Sequence, residues 1–286
     1  MGHHEPVAQR GVIRHQGRLL SYQDFGPVDA PVVLLIHGMV SDSTTWNRAA
    51  AQLADLGHRV LAPDLLGHGD SDKPADGYEL PDFADSLAAL LTELGARQAT
   101  VVGHSFGGAV AMQLAFDHPE LVRRLVLVSA GGLGRRVHPL LRAATLPGAH
   151  SLVRFVVNHR TAALYRWPRL HRSLRLSPDV VANLGRAGRG LASPPARTAF
   201  FQTLKMAIDP FGQRGSLLEL DHVQLDLPTL IIWSERDPVV PVTHAHETHA
   251  HLRNSTLEIF PGSTHQPHHH SAHRFVQVLS DFIAAS

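Results

Sequence analysis

Residues 99–117, ATVVGHSFGGAVAMQLAFD, combine a short apolar run, a glycine-rich turn and a helical stretch. The run Ala99–Gly103 is continuously apolar, as expected for a strand that is buried on both faces. Phe106–Asp117 predicts a helix that ends before Pro119. Between them stands G-x-S-x-G, whose small residues allow a sharp turn. The sequence therefore predicts a strand–turn–helix unit that presents the Ser105 hydroxyl above a sheet, with the positive end of the helix dipole beneath it.

Similar apolar runs recur on both sides of this unit. The further predicted strands are Pro31–Ile36, Arg59–Ala62, Arg124–Ser129, Pro228–Trp233 and Ser255–Phe260. Amphipathic stretches such as Phe83–Leu94 lie between them, with apolar residues at helical spacing. This alternation predicts right-handed βαβ units, so the expected fold class is α/β, with a mostly parallel central sheet flanked by helices. Val12–His15 and Gly17–Phe25 predict an N-terminal antiparallel hairpin.

The middle of the chain has a different pattern. From Gly134 to about Gly215 no strand pattern is present, and apolar residues between 152 and 174 suggest short helices. Pro168, Pro178 and the pair Pro194-Pro195 are expected to break these helices. We predict a helical cap, residues 134–215, inserted into an α/β core of residues 1–133 and 216–286.

This predicted cap is rich in arginine. From Arg135 to Arg214 the chain has thirteen Arg and one Lys against two Asp, although the net charge of the whole chain is only +1. Two explanations stay open. The arginines are solvated and paired with acids of the core, each exposed pair contributing about 0–1 kcal/mol, or some attract anionic substrates to an entrance. Arginine dominates the basic residues throughout, so no nucleic-acid partner is expected.

Composition excludes several classes of protein. The chain has 286 residues, of which 44% are hydrophobic and 18% charged, as is typical of a globular protein. It contains no Cys, which excludes disulfide frameworks, thiolate metal sites and cysteine nucleophiles. No apolar run approaches the roughly 18 residues of a transmembrane helix, and the first residues, MGHHEP, lack the apolar segment of a secretory signal. The expected location is the cytoplasm.

A serine nucleophile needs a base, and the base needs an acid that orients it. Asp237 and Glu235 both follow the predicted strand Pro228–Trp233. Asp237 fits the acid better, and Glu235 is the alternative. His265 lies on the loop after the last predicted strand and is the candidate base. The predicted catalytic residues are therefore Ser105, Asp237 and His265.

Attack on a carbonyl creates an oxyanion, which needs N–H donors. The N–H of Phe106, directly after the nucleophile, is one candidate. The N–H of Met39, on the loop after the predicted strand Pro31–Ile36, is the other. His37 on the same loop is a possible base, but a residue at this position more often braces the loop, and that interpretation is favoured.

These motifs resemble the α/β-hydrolase superfamily, in particular its capped serine hydrolases of an actinobacterial, esterase- or lipase-like branch. The resemblance rests on His37–Met39 (HGM), Asp64–Asp72 (DLLGHGDSD), Gly103–Gly108 (GHSFGG), Trp233–Pro238 (WSERDP) and His265–Pro267 (HQP). It covers the predicted core, and the cap only as a helical insertion. It implies a mainly structural role for Asp64, Gly67, Gly69 and Ser71.

Three functions stay open. Ser105 argues against the dehalogenase and epoxide-hydrolase branches, which the resemblance associates with Asp at this turn. The leading hypothesis is hydrolysis of carboxylic esters, thioesters or lactones of small, mainly apolar molecules through an acyl-enzyme. The second is carbon–carbon bond hydrolysis or lyase chemistry on the same residues, which the single glycine of loop 38–42 makes less favourable. The third is a ligand receptor that retains the triad.

Histidine is abundant, with 22 residues. His244–His251 (HAHETHAH) and His268–His270 invite a metal interpretation, but the order H-E-x-x-H is absent and no carboxylate pattern completes a site. The two stretches are interpreted as a polar helix and a solvated loop. No metal and no cofactor are expected.

Overall fold

The computed structural model describes residues 8–151, 191, 193–214, 226–262 and 265–285. Within these residues, eight strands form one central sheet and two very short strands form a separate hairpin. In chain order the strands are Gln9–His15 (β1), Arg18–Phe25 (β2), Val32–Ile36 (β3), Arg59–Pro63 (β4), Ala99–His104 (β5), Val122–Val128 (β6), Ile208–Asp209 (β7), Gly212–Gln213 (β8), Thr229–Ser234 (β9) and Ser255–Phe260 (β10).

The central sheet is mostly parallel. Its strands lie in the order β1-β2-β4-β3-β5-β6-β9-β10. β2 pairs antiparallel with both β1 and β4, whereas every other neighbouring pair is parallel. The predicted α/β fold class is confirmed, and so are the N-terminal hairpin and the six further predicted strands, whose ends are correct to within two residues. The expected burial is wrong for β10, because this strand lies at the edge of the sheet and only Phe260 of it is buried.

Helices cover both faces of this sheet, and two more lie in the described part of the predicted cap. They are Asn47–Asp55 (α1), Leu80–Glu93 (α2), Phe106–Asp117 (α3), Pro139–Ala143 (α4), Pro194–Ala207 (α5), Thr243–His251 (α6), Pro267–His270 (α7) and Ala272–Ala284 (α8). α2 begins three residues before the predicted stretch, because Glu79 and Asp82 form a capping box.

Alternate residues of one strand explain why the sheet is buried on both faces. Leu34 and Ile36 of β3 belong to the core that includes α2 and α3. Val33 and Leu35 of the same strand belong to the core that includes α1 and α8 on the opposite face. Side chains in a strand point to opposite faces in turn, so a strand between two helical layers must be apolar throughout.

The predicted cap is described only in part, since residues 152–190, 192 and 215 lie outside the described residues. Leu191 is helical and Ser193 is not, so a helix boundary precedes the pair Pro194-Pro195. The pair begins α5, where the Ser193 hydroxyl accepts the N–H of Ala196; proline needs no hydrogen-bond acceptor in a first helical turn. One detail differs from the prediction. β7 and β8 form a hairpin in a region where the sequence shows no strand pattern. Strands of two residues are too short to produce a recognisable pattern.

Candidate active site

Ser105 lies at the sharp turn between β5 and α3, where its backbone adopts φ 54° and ψ −121°. Such a backbone strains a non-glycine residue by about 1–3 kcal/mol and persists only where the surroundings impose it. A Cβ on Gly103 would lie 2.2 Å from the carbonyl oxygen of Gly107. A Cβ on Gly107 would lie 2.5 Å from the carbonyl oxygen of His37. The turn therefore requires glycine at both positions.

The side chains of Ser105, His265 and Asp237 form one hydrogen-bonded series. His265 Nε2 lies 3.0 Å from Ser105 Oγ, and His265 Nδ1 lies 2.9 Å from Asp237 Oδ2. β5, β9 and β10 run parallel in the sheet, so the residues that follow them meet at the same edge. The structure thus brings together the three residues in which the sequence predicts catalysis.

Asp237 is held as a carboxylate. Its side chain is fully buried, and its Oδ1 accepts the N–H groups of Val239 and Val240 at 2.8 and 3.1 Å. Burial raises the pKa of this carboxyl. The hydrogen bond and charge of His265, with the two N–H groups, more than offset burial, so the pKa of Asp237 lies below its ordinary value. Glu235, the alternative acid, has an exposed side chain.

Both predicted oxyanion donors lie near the nucleophile. Phe106 begins α3, so no carbonyl of that helix can accept its N–H. The loop after β3 passes close to Ser105, because a Cβ on Gly38 would lie 3.0 Å from Ser105 Cβ. Met39 follows directly, and Met39 and Phe106 line the same cavity as Ser105 and His265.

His37 braces this loop. Its Nε2 accepts the N–H of Leu65 at 3.0 Å, so its Nδ1 carries the proton and donates to the carbonyl oxygen of Gly38 at 2.8 Å. Burial lowers the pKa of His37, which keeps the ring neutral at physiological pH. Both ring nitrogens are thus occupied by backbone groups, as the favoured interpretation of this residue requires.

The loop after β4 is also held by contacts within the fold. The carboxylate of Asp64 accepts the N–H of Ser43 at 2.7 Å and that of Asp70 at 2.8 Å. The hydroxyl of Ser71 donates to the carbonyl oxygen of Asp64 and accepts the N–H of Ser21. These contacts agree with the structural role that the resemblance implies for Asp64 and Ser71.

Ser105 and His265 lie in the wall of a cavity of about 400 Å³. This volume is within the range of small-molecule pockets, about 300–1,000 Å³. The described lining residues are mostly apolar and contain no Asp or Glu; among them are Leu80, Leu141, Phe200, Met206, Ile208 and Val239. The cavity suits a small molecule with a substantial apolar part.

A second hollow, of about 800 Å³, lies at the opposite edge of the sheet. It borders the first residues of β3, β4 and β5, and none of Ser105, Asp237 and His265 lines it. Ligands of open α/β sheets bind beyond the carboxyl ends of the strands. We therefore assign the candidate active site to the smaller cavity.

Comparison with known proteins agrees with this fold. The family model of the alpha/beta hydrolase fold matches residues 31–271 of the chain. The chain belongs to the α/β-hydrolase family. The resemblance identified from the sequence motifs is confirmed.

Relatives of this α/β-hydrolase carry several names. An uncharacterised protein of Mycobacterium tuberculosis is 39% identical over 266 residues, which cover 88% of this chain and 75% of the relative. The 2-hydroxymuconate semialdehyde hydrolase of Pseudomonas putida is 30% identical over 262 residues, covering 88% and 86%. The crystal structure of esterase RhEst1 from Rhodococcus sp. ECU1013 has a TM-score of 0.74 at 26% identity, covering 97% and 98%. Family and relatives together support a hydrolytic enzyme.

The histidine-rich stretches of this α/β-hydrolase are packed more closely than predicted. His268 is buried, not solvated, and its ring centroid lies 4.1 Å from that of Trp46. α7 places it there, because a single turn after His265 directs it into the core. Within the described part of the chain, no group of three His, Asp or Glu residues has the arrangement of a metal site. The described helices include none that is long and apolar enough to cross a membrane.

Sequence reasoning missed His104, the residue directly before the nucleophile. This ring is buried, and its Nε2 donates to the carbonyl oxygen of His265 at 2.8 Å. Its centroid lies 4.9 Å from the His265 ring. Burial, reinforced by the charge of His265, lowers the pKa of His104 to about 3, so the ring is neutral at physiological pH. Only its position beside Ser105 could have indicated this contact.

We predict that His104→Phe lowers kcat of the hydrolase by about 3- to 10-fold, because one hydrogen bond to the backbone of His265 is lost. KM should change less, since His104 does not line the substrate cavity. His104→Gln, which keeps an N–H donor, should recover part of kcat. Steady-state kinetics of the two variants test this, and equal kcat in both would contradict it.

We predict that the stability of this hydrolase falls as the pH drops from about 6.5 towards about 3. Burial lowers the pKa of His68 and of His104 to about 3, whereas an unfolded histidine titrates near 6.5. The unfolded chain therefore binds more protons in this window, and each buried ring steepens the loss by up to about 1.4 kcal/mol per pH unit.

Urea unfolding at several pH values between 4 and 7.5 measures this slope. His68→Gln should make the slope shallower, because the buried titrating ring is gone. His246→Gln removes an exposed histidine of α6 and serves as the control. If both variants keep the slope of the parent protein, His68 is not a source of the acid sensitivity.

Proposed function

We propose that this protein hydrolyses carboxylic esters, including thioesters and lactones, through an acyl-enzyme formed on Ser105. The observation that carries the proposal is the series from Ser105 Oγ to His265 Nε2 and from His265 Nδ1 to Asp237. Ser105 and His265 of this series line a mostly apolar cavity. A nucleophile, a base and an orienting acid are the groups that acyl transfer needs.

The reaction then proceeds in two halves. Ser105 Oγ attacks the carbonyl carbon while His265 Nε2 takes its proton, and the ionised Asp237 stabilises the resulting imidazolium. The N–H groups of Met39 and Phe106 stabilise the oxyanion. The alcohol leaves with the proton from His265 Nε2. Water then attacks the acyl-enzyme with His265 as base, which releases the carboxylic acid and restores Ser105.

Turnover of p-nitrophenyl acetate and butyrate tests this proposal. The protein should release p-nitrophenol catalytically, and a phosphonate that mimics the acylation intermediate should label Ser105, as located by mass spectrometry of the digested protein. Labelling elsewhere, with unchanged ester turnover, would contradict the assignment of the nucleophile.

Hydrolysis of a carbon–carbon bond is the second candidate function. It is favoured by the relative named 2-hydroxymuconate semialdehyde hydrolase, 30% identical over most of both chains. A chromogenic dienone separates the two candidates, because only the second predicts its cleavage. A ligand receptor would show neither activity, but slow single-turnover modification and a large thermal stabilisation.

Several further expectations belong to this proposal. The substrate is a small, mainly apolar ester-like molecule, no cofactor or metal takes part, and the protein is cytoplasmic. Residues 134–215 form a helical cap over the cavity, between core segments 1–133 and 216–286. Support for the cap comes from its described residues, since α4, α5 and the β7–β8 hairpin all contribute to the cavity lining.

A further inference from the structure

Arg214 is the one Arg or Lys among the described residues that line the apolar cavity together with Ser105 and His265. Arg214 follows β8, and its backbone N–H donates to the carbonyl oxygen of Ala207 at 2.8 Å, which ties the start of this residue to the end of α5. Arg214 is exposed and lines the same cavity as Ser105. It therefore lies where the cavity opens to solvent.

The described surroundings of Arg214 supply no negative charge. The described residues that line the cavity include no Asp or Glu. The described acid nearest in sequence, Asp209, forms its ion pair with Arg135 at 3.8 Å. Among the described residues no hydrogen bond or ion pair to the Arg214 guanidinium is present.

Other arginines of this region have different environments. Arg142 of α4 donates to the carbonyl oxygen of Pro210 at 2.8 Å and does not line the cavity. Arg197 of α5 donates to the carbonyl oxygen of Leu191 and does not line it either. Arg214 thus differs from both in two respects: it shares a cavity with the nucleophile, and its guanidinium has no hydrogen-bond or ion-pair partner among the described residues.

We infer that the substrate is an amphiphilic anion: an ester with an apolar part inside the cavity and a carboxylate that binds Arg214 at the opening. A guanidinium is always charged and presents paired N–H donors that match a carboxylate. The apolar lining accommodates the rest of the molecule. The inference rests on the proposed function. Hydrolysis of such an ester by water yields an alcohol and an acid at the Ser105 end, and the carboxylate that binds Arg214 is unchanged.

Two pairs of chromogenic or ultraviolet-absorbing substrates test the inference. p-Nitrophenyl half-esters of dicarboxylic acids are compared with p-nitrophenyl esters of monocarboxylic acids of equal chain length. 4-Acyloxybenzoates are compared with phenyl esters of the same acyl chain. The first pair places the carboxylate on the acyl side of the ester, and the second places it on the alcohol side. The measured quantity is the ratio of kcat/KM for the anionic and neutral members.

Arg214→Gln should lower this ratio by about 5- to 50-fold in at least one pair, as expected for loss of a charged hydrogen-bonded contact. Arg142→Gln removes an equal charge from the same region and should leave the ratio unchanged. About 1 M salt, where the Debye length is near 3 Å, should lower the ratio of the parent protein. An unchanged ratio in Arg214→Gln in both pairs, or an equal loss in Arg142→Gln, would overturn the inference.

Direct binding separates this inference from the proposed function. Calorimetry with hexanoate and octanoate measures anion binding without turnover, and Arg214→Gln should weaken it while Arg142→Gln should not. If no ester is hydrolysed but Arg214→Gln still weakens this binding, the proposed function fails and the anion site stands. If esters are hydrolysed and neither variant affects the ratio or the binding, the anion site fails and the proposed function stands.

Discussion

Ser105→Ala is expected to lower ester hydrolysis by about 10³–10⁶-fold. The lost atom is the one that lies 3.0 Å from His265 Nε2, and alanine cannot form an acyl-enzyme. Folding should remain near that of the parent protein, because a single hydroxyl is removed and Cβ is kept. The measurement is kcat for p-nitrophenyl butyrate beside the thermal unfolding midpoint.

Ser86→Ala is a matched control for this loss. The Ser86 hydroxyl is also buried, but it donates to the carbonyl oxygen of Phe83 within α2 at 2.8 Å. Its removal should affect stability slightly and kcat not at all. Activity that survives in Ser105→Ala, at a level well above the uncatalysed rate, would remove Ser105 from the role of nucleophile.

The strain at Ser105 adds a second outcome to the same experiment. Glycine adopts φ 54° without steric penalty, whereas serine and alanine do not. Ser105→Gly should therefore be as inactive as Ser105→Ala but more stable by about 1 kcal/mol, part of the relief being offset by the greater freedom of glycine in the unfolded chain. Equal stability would mean that the surroundings of the turn do not impose this backbone.

Secondary structure is predicted correctly where the hydrophobic pattern of a segment reflects its burial in the fold. β3, β5 and β9 are buried on both faces, so each is a continuous apolar run that no helix period explains. The backbone approaches itself so closely at the Ser105 turn that glycine is required on both sides. This requirement produces the G-x-S-x-G motif, which can be recognised in the sequence. The sequence predicts that Asp237 and His265 lie together because each follows a strand, and residues that follow parallel strands meet at one edge of the sheet.

What could not be predicted depends on contacts between residues distant in sequence. The hydrogen bond from His104 to the carbonyl oxygen of His265 joins residues 161 positions apart. His268 has the sequence surroundings of a solvated residue, but it is buried by packing against Trp46, His104 and Phe275. The β7–β8 hairpin depends on Asp209, whose carboxylate accepts the N–H groups of Phe211 and Gly212.

Asp237→Asn should lower kcat by up to about 10⁴-fold with little change in structure. Asp237 Oδ1 accepts the N–H groups of Val239 and Val240, so the amide oxygen of asparagine should keep that position. The amide nitrogen then faces His265 Nδ1 and donates to it. The proton of His265 moves to Nε2, the atom that must accept the proton of Ser105, and the ring is held in the wrong tautomer.

Glu235→Gln tests whether the correct carboxylate has been assigned. Glu235 lies two residues earlier on the same turn, but its side chain is exposed, so its loss should leave kcat nearly unchanged. Asp237→Ala removes the orienting acid without supplying a donor that fixes the His265 tautomer. If the tautomer of His265 is the main determinant of the loss, kcat should fall less in Asp237→Ala than in Asp237→Asn. A large loss in Glu235→Gln with none in Asp237→Asn would instead make Glu235 the acid, and would require this turn to rearrange when substrate binds.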